Sequence, residues 1–282
     1  MLFRSRYFDE SGTEDLFDYF GSIIQPEFTL ADAIKQGALV SYLYYPIFVE
    51  LTELEAFNYA KLTQRIGWAL SDSEDLGRNP VLKSLLMQRS RLVASATNKL
   101  IALKNLMERR LQTQHTLFYC GDGYGNFPGS DCQRQLESVT RILGAELGYR
   151  VNTYTAETPL IERQKIQRQF ESGELQGLVA IRCLDEGIDI PAVHSAVILA
   201  STGNPRQFIQ RRGRILRPHP AKERATLFDM IVLPPELDRK TLEVERNLLR
   251  KELKRFIEFA KLAENAREAT EKLLIIQEKY SL

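Results

Sequence analysis

LFYC at residues 117–120 is the first of five short apolar runs, and VNTY (151–154), LVAI (178–181), AVILA (196–200) and TLFDM (226–230) follow it. Each run has the length of a buried strand, and amphipathic stretches of helical period separate one run from the next. This alternation is typical of an α/β fold with a parallel sheet. Because crossovers between parallel strands are right-handed, we expect helices on both faces of the sheet and ligands at the carboxyl ends of the strands.

Signals for a helix and a strand precede this region. Thr29 is a suitable N-cap for a short helix that runs to Gln36, and Gly37 provides its stop signal. An aromatic and β-branched run at 39–51 predicts a strand. Pro46 lies within that run and cannot donate a main-chain hydrogen bond, so we expect either an edge strand or a strand with a break.

Two longer helices are predicted between this strand and the first apolar run. Thr52 and Glu55 form the capping-box pattern T-x-x-E, and apolar residues continue at helical spacing over 53–70. After a polar break, a second long helical pattern runs from about residue 81 to Gln112. We interpret these helices as a connector.

The last segment, 236–282, is rich in helix-forming residues and carries apolar residues seven positions apart. Arginines interrupt the second apolar row, so we predict a long helix that packs on its own domain rather than a coiled coil. The sequence thus divides into a helical connector segment at 1–115, a parallel α/β domain at 116–235 and a helical extension at 236–282.

The composition argues against several classes of protein. Lys and Arg number 38 against 37 Asp and Glu, so any surface for a polyanion must be local. No run approaches the roughly 18 apolar residues of a membrane span. Three cysteines without a CxxC pair, in a chain without an apolar signal segment, predict a reducing cytoplasm. His115, His194 and His219 lie far apart without ligand-like spacing, so we expect no metal site.

A local excess of positive charge surrounds residue 215. Nineteen residues with a single acid, Glu223, contain the basic residues Arg206, Arg211, Arg212, Arg214, Arg217, Lys222 and Arg224. A solvated helix face is the ordinary interpretation of such a cluster. Arg211, Arg214 and Arg217 recur every three residues, however, and on a helix their guanidinium groups would share one surface and could bind phosphate. Gly213, in mid-helix, costs about 1 kcal/mol relative to alanine and so indicates close packing.

Two motifs here resemble those of one enzyme family. Residues 210–217, QRRGRILR, resemble motif VI of the superfamily-two helicases, QRxGRxxR, at every defined position. Residues 184–191, LDEGIDIP, resemble their motif V, in which a glycine backbone approaches the nucleotide and an aspartate faces its ribose. Gly187 and Asp189 take those positions. Two matches in the family's order are far more specific than either alone.

Weaker matches concern the nucleic-acid strand. Residues 116–123, TLFYCGDG, resemble motif IV, whose following loop lies near the nucleic-acid backbone, and Gly121 there would permit close approach. Thr155 follows the second apolar run, where the family often carries a threonine near the bound strand. A simple helix cap by Thr155 or Thr158 is the alternative interpretation. Arg182, directly after the third run, is a further candidate contact with nucleic acid.

The resemblance implies a RecA-like sheet and a motor mechanism. ATP and Mg²⁺ would bind between two RecA-like lobes, of which this chain supplies the second. Arg214 and Arg217 would contact the terminal phosphates, with Arg217 the arginine finger, and Gln210 and Arg211 would couple the lobes. Similarity to the XPB and restriction-helicase branch favours single- or double-stranded DNA as the nucleic acid along which the protein moves, and it leaves RNA as an alternative.

The ATP-gripping first lobe is not recognisable in the sequence. Neither a Walker A loop, GxxxxGK[ST], to hold the phosphates nor a DExx segment downstream of such a loop to hold magnesium is found. Residues 95–99, SATNK, lack the glycines and lie in a helical pattern, so we interpret them as helix surface. We therefore expect the N-terminal RecA-like lobe of the same protein as a partner, which would hold most of the Mg²⁺ site, and expect the isolated chain to be inactive.

Two other functions compete with this interpretation. An ATP-independent nucleic-acid-binding or regulatory module would also lack a Walker A loop, but motif VI would then have no use. A dinucleotide-binding enzyme would share the parallel α/β pattern. The nearest glycine-rich segment, 121–125, has the wrong spacing for such an enzyme, and Phe127-Pro128 stands where a helix should start.

Overall fold

The computed structural model describes residues 19, 21, 28–71, 79–121, 135–155, 157–181, 190, 192–200 and 212–282. Its helices are α1 (Leu30–Lys35), α2 (Glu53–Ser71), α3 (Pro80–Ala94), α4 (Asn98–Glu108), α5 (Gln135–Arg141, continued by a π-helical turn, Ile142–Glu146), α6 (Leu160–Glu171), α7 (Arg239–Ala260) and α8 (Ala266–Tyr280). Its strands are β1 (Ser41–Val49), β2 (Thr116–Cys120), β3 (Val151–Tyr154), β4 (Gly177–Ile181), β5 (Ser195–Ile198) and β6 (Arg224–Val232). Within the described parts of the chain, no helix has the length and apolar character needed to span a bilayer.

The six strands form one parallel sheet in the order β1-β6-β5-β2-β4-β3. All five neighbouring pairs are parallel, so the carboxyl ends of the strands lie at one edge. The five apolar runs are β2 to β6, which confirms the predicted α/β fold. The edge strand β1 comes from the predicted connector, and it contains Pro46 as expected.

Helices cover both faces of the sheet. Successive side chains of a strand point to opposite faces, and β2 shows the consequence. Leu117 and Tyr119 join a buried apolar cluster with residues of α6, α7 and α8, whereas Phe118 and Cys120 join a second cluster with residues of α4 and α5. The predicted two-sided packing is therefore confirmed.

The C-terminal segment forms two helices rather than one. The break between α7 and α8 bonds to the free edge of β1, where the Asn265 side chain accepts from the Tyr44 N–H at 2.9 Å and donates to the Tyr44 carbonyl at 3.0 Å. The Glu264 N–H donates to the Tyr42 carbonyl at 2.8 Å. These bonds satisfy edge groups that could otherwise pair with another strand. Both helices pack on the sheet, as predicted, but the expectation of a single long helix was wrong.

The predicted helix over 81–112 is also divided. The break lies between α3 and α4, where the Thr97 N–H and hydroxyl each donate to the Glu55 carboxylate at 2.8 Å. Glu55 also accepts from the Thr52 N–H at 2.9 Å, so the predicted capping box is confirmed. Ala96 and Lys99 are buried, and the interpretation of residues 95–99 as helix surface was therefore wrong.

A buried ion pair joins the predicted connector to the predicted C-terminal extension. Arg89 of α3 lies 2.9 Å from the Glu245 carboxylate of α7, and both side chains are buried. Tyr59 of α2 donates its hydroxyl to the same carboxylate at 2.7 Å. The two predicted segments therefore pack against each other.

Candidate functional site

The described part of motif VI, residues 212–217, is called here the arginine turn, and its first residue enters the core. Arg212 is 2% exposed and forms an ion pair with Asp229 of β6. Tyr44 of β1 donates its hydroxyl to the same carboxylate at 2.9 Å. Burial, and next the charge of Asp229, raise the pKa of this hydroxyl, so it remains a donor. Because Arg212 points into the core, its predicted place in a basic surface patch was wrong.

Lys222, which follows the arginine turn, also points inward. It is 6% exposed, and its ammonium group donates to the carbonyl oxygens of Ile215 and Arg217, the latter at 3.0 Å. The Val40 N–H donates to the intervening Leu216 carbonyl at 2.8 Å. Burial lowers the pKa of the Lys222 ammonium to about 8. Lys222 therefore supports the turn from within and is not part of a surface patch either.

Arg214 and Arg217 remain as the half-buried arginines of the turn. The described helix covers 212–215, so Arg217 lies beyond its end, and the predicted helical spacing does not extend that far. The Arg217 N–H donates to the Arg214 carbonyl at 3.3 Å, which keeps the two backbones together. A Cβ placed on Gly213 would meet no atom of the described residues within 4 Å, so the close packing expected there is not found among them.

Gly121, the motif IV candidate, is enclosed by the protein itself. Its N–H donates to the Gln135 side-chain oxygen at 2.7 Å, and the Gln135 amide donates in turn to the Ala94 carbonyl at 2.8 Å. A Cβ on Gly121 would lie 3.0 Å from the Ala94 Cβ and 3.2 Å from the Ala200 Cβ. Glycine is thus required here by close internal packing.

Thr155 lies in a small turn at the carboxyl end of β3. Its N–H donates to the Thr158 hydroxyl at 3.1 Å, and the Thr158 N–H donates to the Thr155 carbonyl at 3.2 Å. The N-cap residue of α6 is Pro159, so neither threonine caps that helix, and the alternative interpretation as a helix cap was wrong. Arg163 donates to the Thr158 carbonyl at 2.8 Å and ties the turn to α6.

The remaining predicted site residues lie outside the described parts of the chain. They are Arg182, Gly187, Asp189, Gln210 and Arg211.

The described candidates are distributed along the sheet. Gly121 and Thr155 follow β2 and β3 at the carboxyl edge, with β4 between those strands, which corresponds to about 10 Å at ordinary strand spacing. The arginine turn is bonded instead to β6 and to the residue before β1. It therefore lies at the opposite end of the strand order from Thr155, whereas a single strand, β5, separates β6 from the strand that Gly121 follows.

Two buried charged residues, Asp229 and Lys99, were not among the predicted candidates. The signal for one of them was present, since Asp229 is a charged residue inside an otherwise apolar strand and needs a buried partner. Lys99 gave no such signal. It is 1% exposed, donates to the Leu199 carbonyl at the end of β5, and has its pKa lowered to about 7 by burial.

The three histidines are also closer than their spacing in the sequence indicates. The ring centres of His115 and His194 are 4.8 Å apart, and those of His194 and His219 are 6.3 Å apart. Burial first, and then the neighbouring positive groups, lower the pKa of His194 to about 4. Among the described residues, no group of three or more His, Cys, Asp or Glu has an arrangement that could hold a metal ion.

Comparison with known proteins identifies the domain around these candidates. Residues 98–219 match the family described as the helicase conserved C-terminal domain. The chain is 37% identical over 78 residues to the DNA 3′-5′ translocase XPB2 of Sulfurisphaera tokodaii, covering 26% of this chain and 18% of that protein. It is 34% identical over 131 residues to a Rad25-type DNA 3′-5′ helicase of Halobacterium salinarum, covering 46% of this chain and 19% of that protein. The chain thus spans less than a fifth of either relative.

A solved structure supports the fold. The C-terminal domain of the SWI2/SNF2 ATPase of Sulfolobus solfataricus has a TM-score of 0.50 at 14% sequence identity, covering 75% of this chain and 86% of that domain. An identity this low shows a shared architecture alone. Residues 98–219 therefore form a helicase conserved C-terminal domain, in a chain that is similar in sequence to XPB2 and to Rad25-type proteins.

Proposed function

We propose that this chain is the second motor lobe of an ATP-driven DNA translocase that works in the cytoplasm. The observation that carries the proposal is the arginine turn. Two half-buried arginines, Arg214 and Arg217, project from a backbone that buried groups hold at both ends. An arginine that extends from a backbone held in this way would need little reorganisation to stabilise charge on a phosphoryl group.

ATP would bind between this lobe and the N-terminal RecA-like lobe of the same protein. Arg217 would be the arginine finger, and Arg214 would contact the same terminal phosphates. From motif V, Gly187 would approach the nucleotide and Asp189 would face its ribose, while Gln210 and Arg211 of motif VI would couple the lobes. The cations of the arginine turn suit a polyphosphate, and we assign the Mg²⁺ that accompanies ATP mainly to the first lobe.

DNA would run along the carboxyl edge of the sheet. Gly121, Thr155 and Arg182 follow β2, β3 and β4, which are neighbours in the sheet. The Thr155 hydroxyl and the Arg182 side chain would contact phosphates of the strand. Gly121, whose N–H donates to Gln135, would permit the strand to approach closely. The named relatives of this chain act on DNA, which favours DNA over RNA. The distance of Thr155 from the arginine turn would let lobe closure on ATP shift a gripped strand.

The first test measures ATP hydrolysis by this 282-residue chain, with and without single-stranded DNA, before and after addition of the N-terminal lobe. We expect no hydrolysis by the chain alone and DNA-stimulated hydrolysis after reconstitution. Robust hydrolysis by the chain alone would mean that it contains a complete nucleotide site. DNA binding that never couples to hydrolysis would favour the ATP-independent module instead.

The second test changes Arg217→Ala in the two-lobe protein. Loss of an arginine finger lowers kcat on the order of a thousandfold. The matched control is Arg224→Ala, since Arg224 belongs to the same basic run but forms an exposed ion pair with Glu264 at 3.1 Å. Near-normal DNA-stimulated hydrolysis by the Arg217→Ala protein would refute the assignment.

A further inference from the structure

The last three carbonyl oxygens of the arginine turn each accept a hydrogen bond from outside the turn. The Ile215 and Arg217 carbonyls accept from the Lys222 ammonium, and the Leu216 carbonyl accepts from the Val40 N–H. Carbonyl groups at the end of a helix have no partners within that helix. Here three consecutive ones are held by donors from other parts of the chain. Arg217 therefore leaves a backbone that has little freedom to rotate.

Lys222 is held as firmly as the turn that it supports. Its N–H donates to the His219 carbonyl at 2.9 Å, and the two residues form an antiparallel bridge. Its side chain is buried, so its donors cannot exchange protein partners for water at low cost. The link from Lys222 to the Arg217 carbonyl is therefore rigid at both ends.

The start of the turn is fixed independently. The Arg212 guanidinium is buried against Asp229 of β6, and it also lies 5.1 Å from the ring centre of Phe259 on α7. The chain from Arg214 to Arg217 is therefore held at its start by this ion pair and at its end by the hydrogen bonds from Lys222. A rotation or slide of the turn would have to break buried charge contacts at one end or the other.

We propose that Lys222 is a positioning residue for the arginine finger. It contacts neither nucleotide nor DNA, and it acts by fixing the carbonyls of Ile215 and Arg217 so that the Arg217 guanidinium meets the terminal phosphate in one orientation. The proposal rests on the proposed function. Its physical basis is that a displacement of about 1 Å at a catalytic group can lower the rate on the order of a hundredfold.

The test changes Lys222→Met in the two-lobe protein. Methionine keeps the length of the side chain but offers no donor to the two carbonyls. We expect kcat for DNA-stimulated ATP hydrolysis to fall at least about tenfold, with KM for ATP and affinity for DNA within about twofold of the original protein. The matched control is Lys104→Met, which also removes an ammonium group, but one that forms a partly exposed ion pair with Glu146 at 2.9 Å. We expect it to keep its kcat.

A double variant separates positioning from a general structural role. If Lys222 acts only through Arg217, then Lys222→Met should lower kcat no further in a protein that already carries Arg217→Ala. Additive losses, or equal losses in Lys222→Met and Lys104→Met, would overturn the proposal. If Arg217→Ala itself has no effect, the proposed function fails as a whole. A large effect of Arg217→Ala with normal kcat for Lys222→Met would refute positioning alone.

A milder variant keeps the proposal testable if Lys222→Met does not fold. Lys222→Gln retains an amide donor on a shorter side chain, so it can hold one of the two carbonyls. We expect an intermediate kcat, an unchanged KM for ATP and a thermal unfolding transition close to that of the original protein. A folded Lys222→Gln protein with full kcat would overturn the proposal.

Discussion

The two ends of the sheet hold their candidate residues in different ways. At the β6 and β1 end, the arginine turn is fixed by buried charges, with Arg212 on Asp229 and Lys222 on two carbonyls. At the β3 end, the turn at Thr155 is held by short-range bonds between Thr155 and Thr158. An arginine that stabilises charge on a phosphoryl group has to be held in a fixed position. A contact that follows a DNA backbone binds phosphates of any sequence and so does not need the same fixed position. The difference matches the two roles proposed.

Removal of the buried guanidinium should give the largest effect on stability. Arg212→Ala leaves the Asp229 carboxylate buried without its cation, and breaking a buried pair in this way costs about 3–5 kcal/mol. The free energy of unfolding of the 282-residue chain, measured in denaturant, should fall by that amount. The same variant in the two-lobe protein should also lose ATP hydrolysis.

Arg224→Ala is the matched control for this prediction. It breaks the exposed ion pair with Glu264, and exposed pairs contribute less than about 1 kcal/mol. If Arg212→Ala and Arg224→Ala destabilise the chain equally, Arg212 is not the buried anchor of the turn, and the contrast between the two ends of the sheet is lost.

The sequence predicted the elements of the fold well because their signals are local. Each signal can be recognised from a few neighbouring residues. Examples are the strand-length apolar runs, the capping pair Thr52 and Glu55, and the proline of the edge strand, Pro46. The two helix breaks were missed because their causes are distant in the sequence. Thr97 bonds to Glu55 across 42 residues, and Asn265 bonds to Tyr44 across 221 residues.

The candidate site was predictable only in part for the same reason. Motif VI located Arg214 and Arg217 and leaves Arg212 at an undefined position, so the motif does not reveal that Arg212 enters the core. Asp229 was the available signal, because a carboxylate in an apolar strand requires a buried cation or donor. Lys222 had no comparable signal, since its partners are main-chain carbonyls.

Alanine at two glycines gives a smaller test of the same contrast. Gly121→Ala places a Cβ 3.0 Å from the Ala94 Cβ, and overpacking of this kind costs about 1–3 kcal/mol. At Gly213 a Cβ meets no described atom within 4 Å, so Gly213→Ala should stabilise the short helix by up to about 1 kcal/mol. Thermal unfolding of both variants measures the difference, and a destabilised Gly213→Ala chain would show that the turn has a close neighbour.

Thr155→Ala should have the smallest effect on stability and still weaken DNA binding. The variant loses a hydroxyl contact of 3.3 Å with Thr158 but keeps the main-chain bonds of the turn, so the free energy of unfolding should change by less than about 1 kcal/mol. Loss of one phosphate contact should lower the affinity of the two-lobe protein for labelled single-stranded DNA about fivefold, measured by fluorescence anisotropy. Thr140→Ala is the control, because that hydroxyl bonds within α5 to the Leu136 carbonyl. Equal DNA affinity in the two variants would show that Thr155 does not contact DNA. The arginine turn would then be better supported as a functional site than the turn at Thr155.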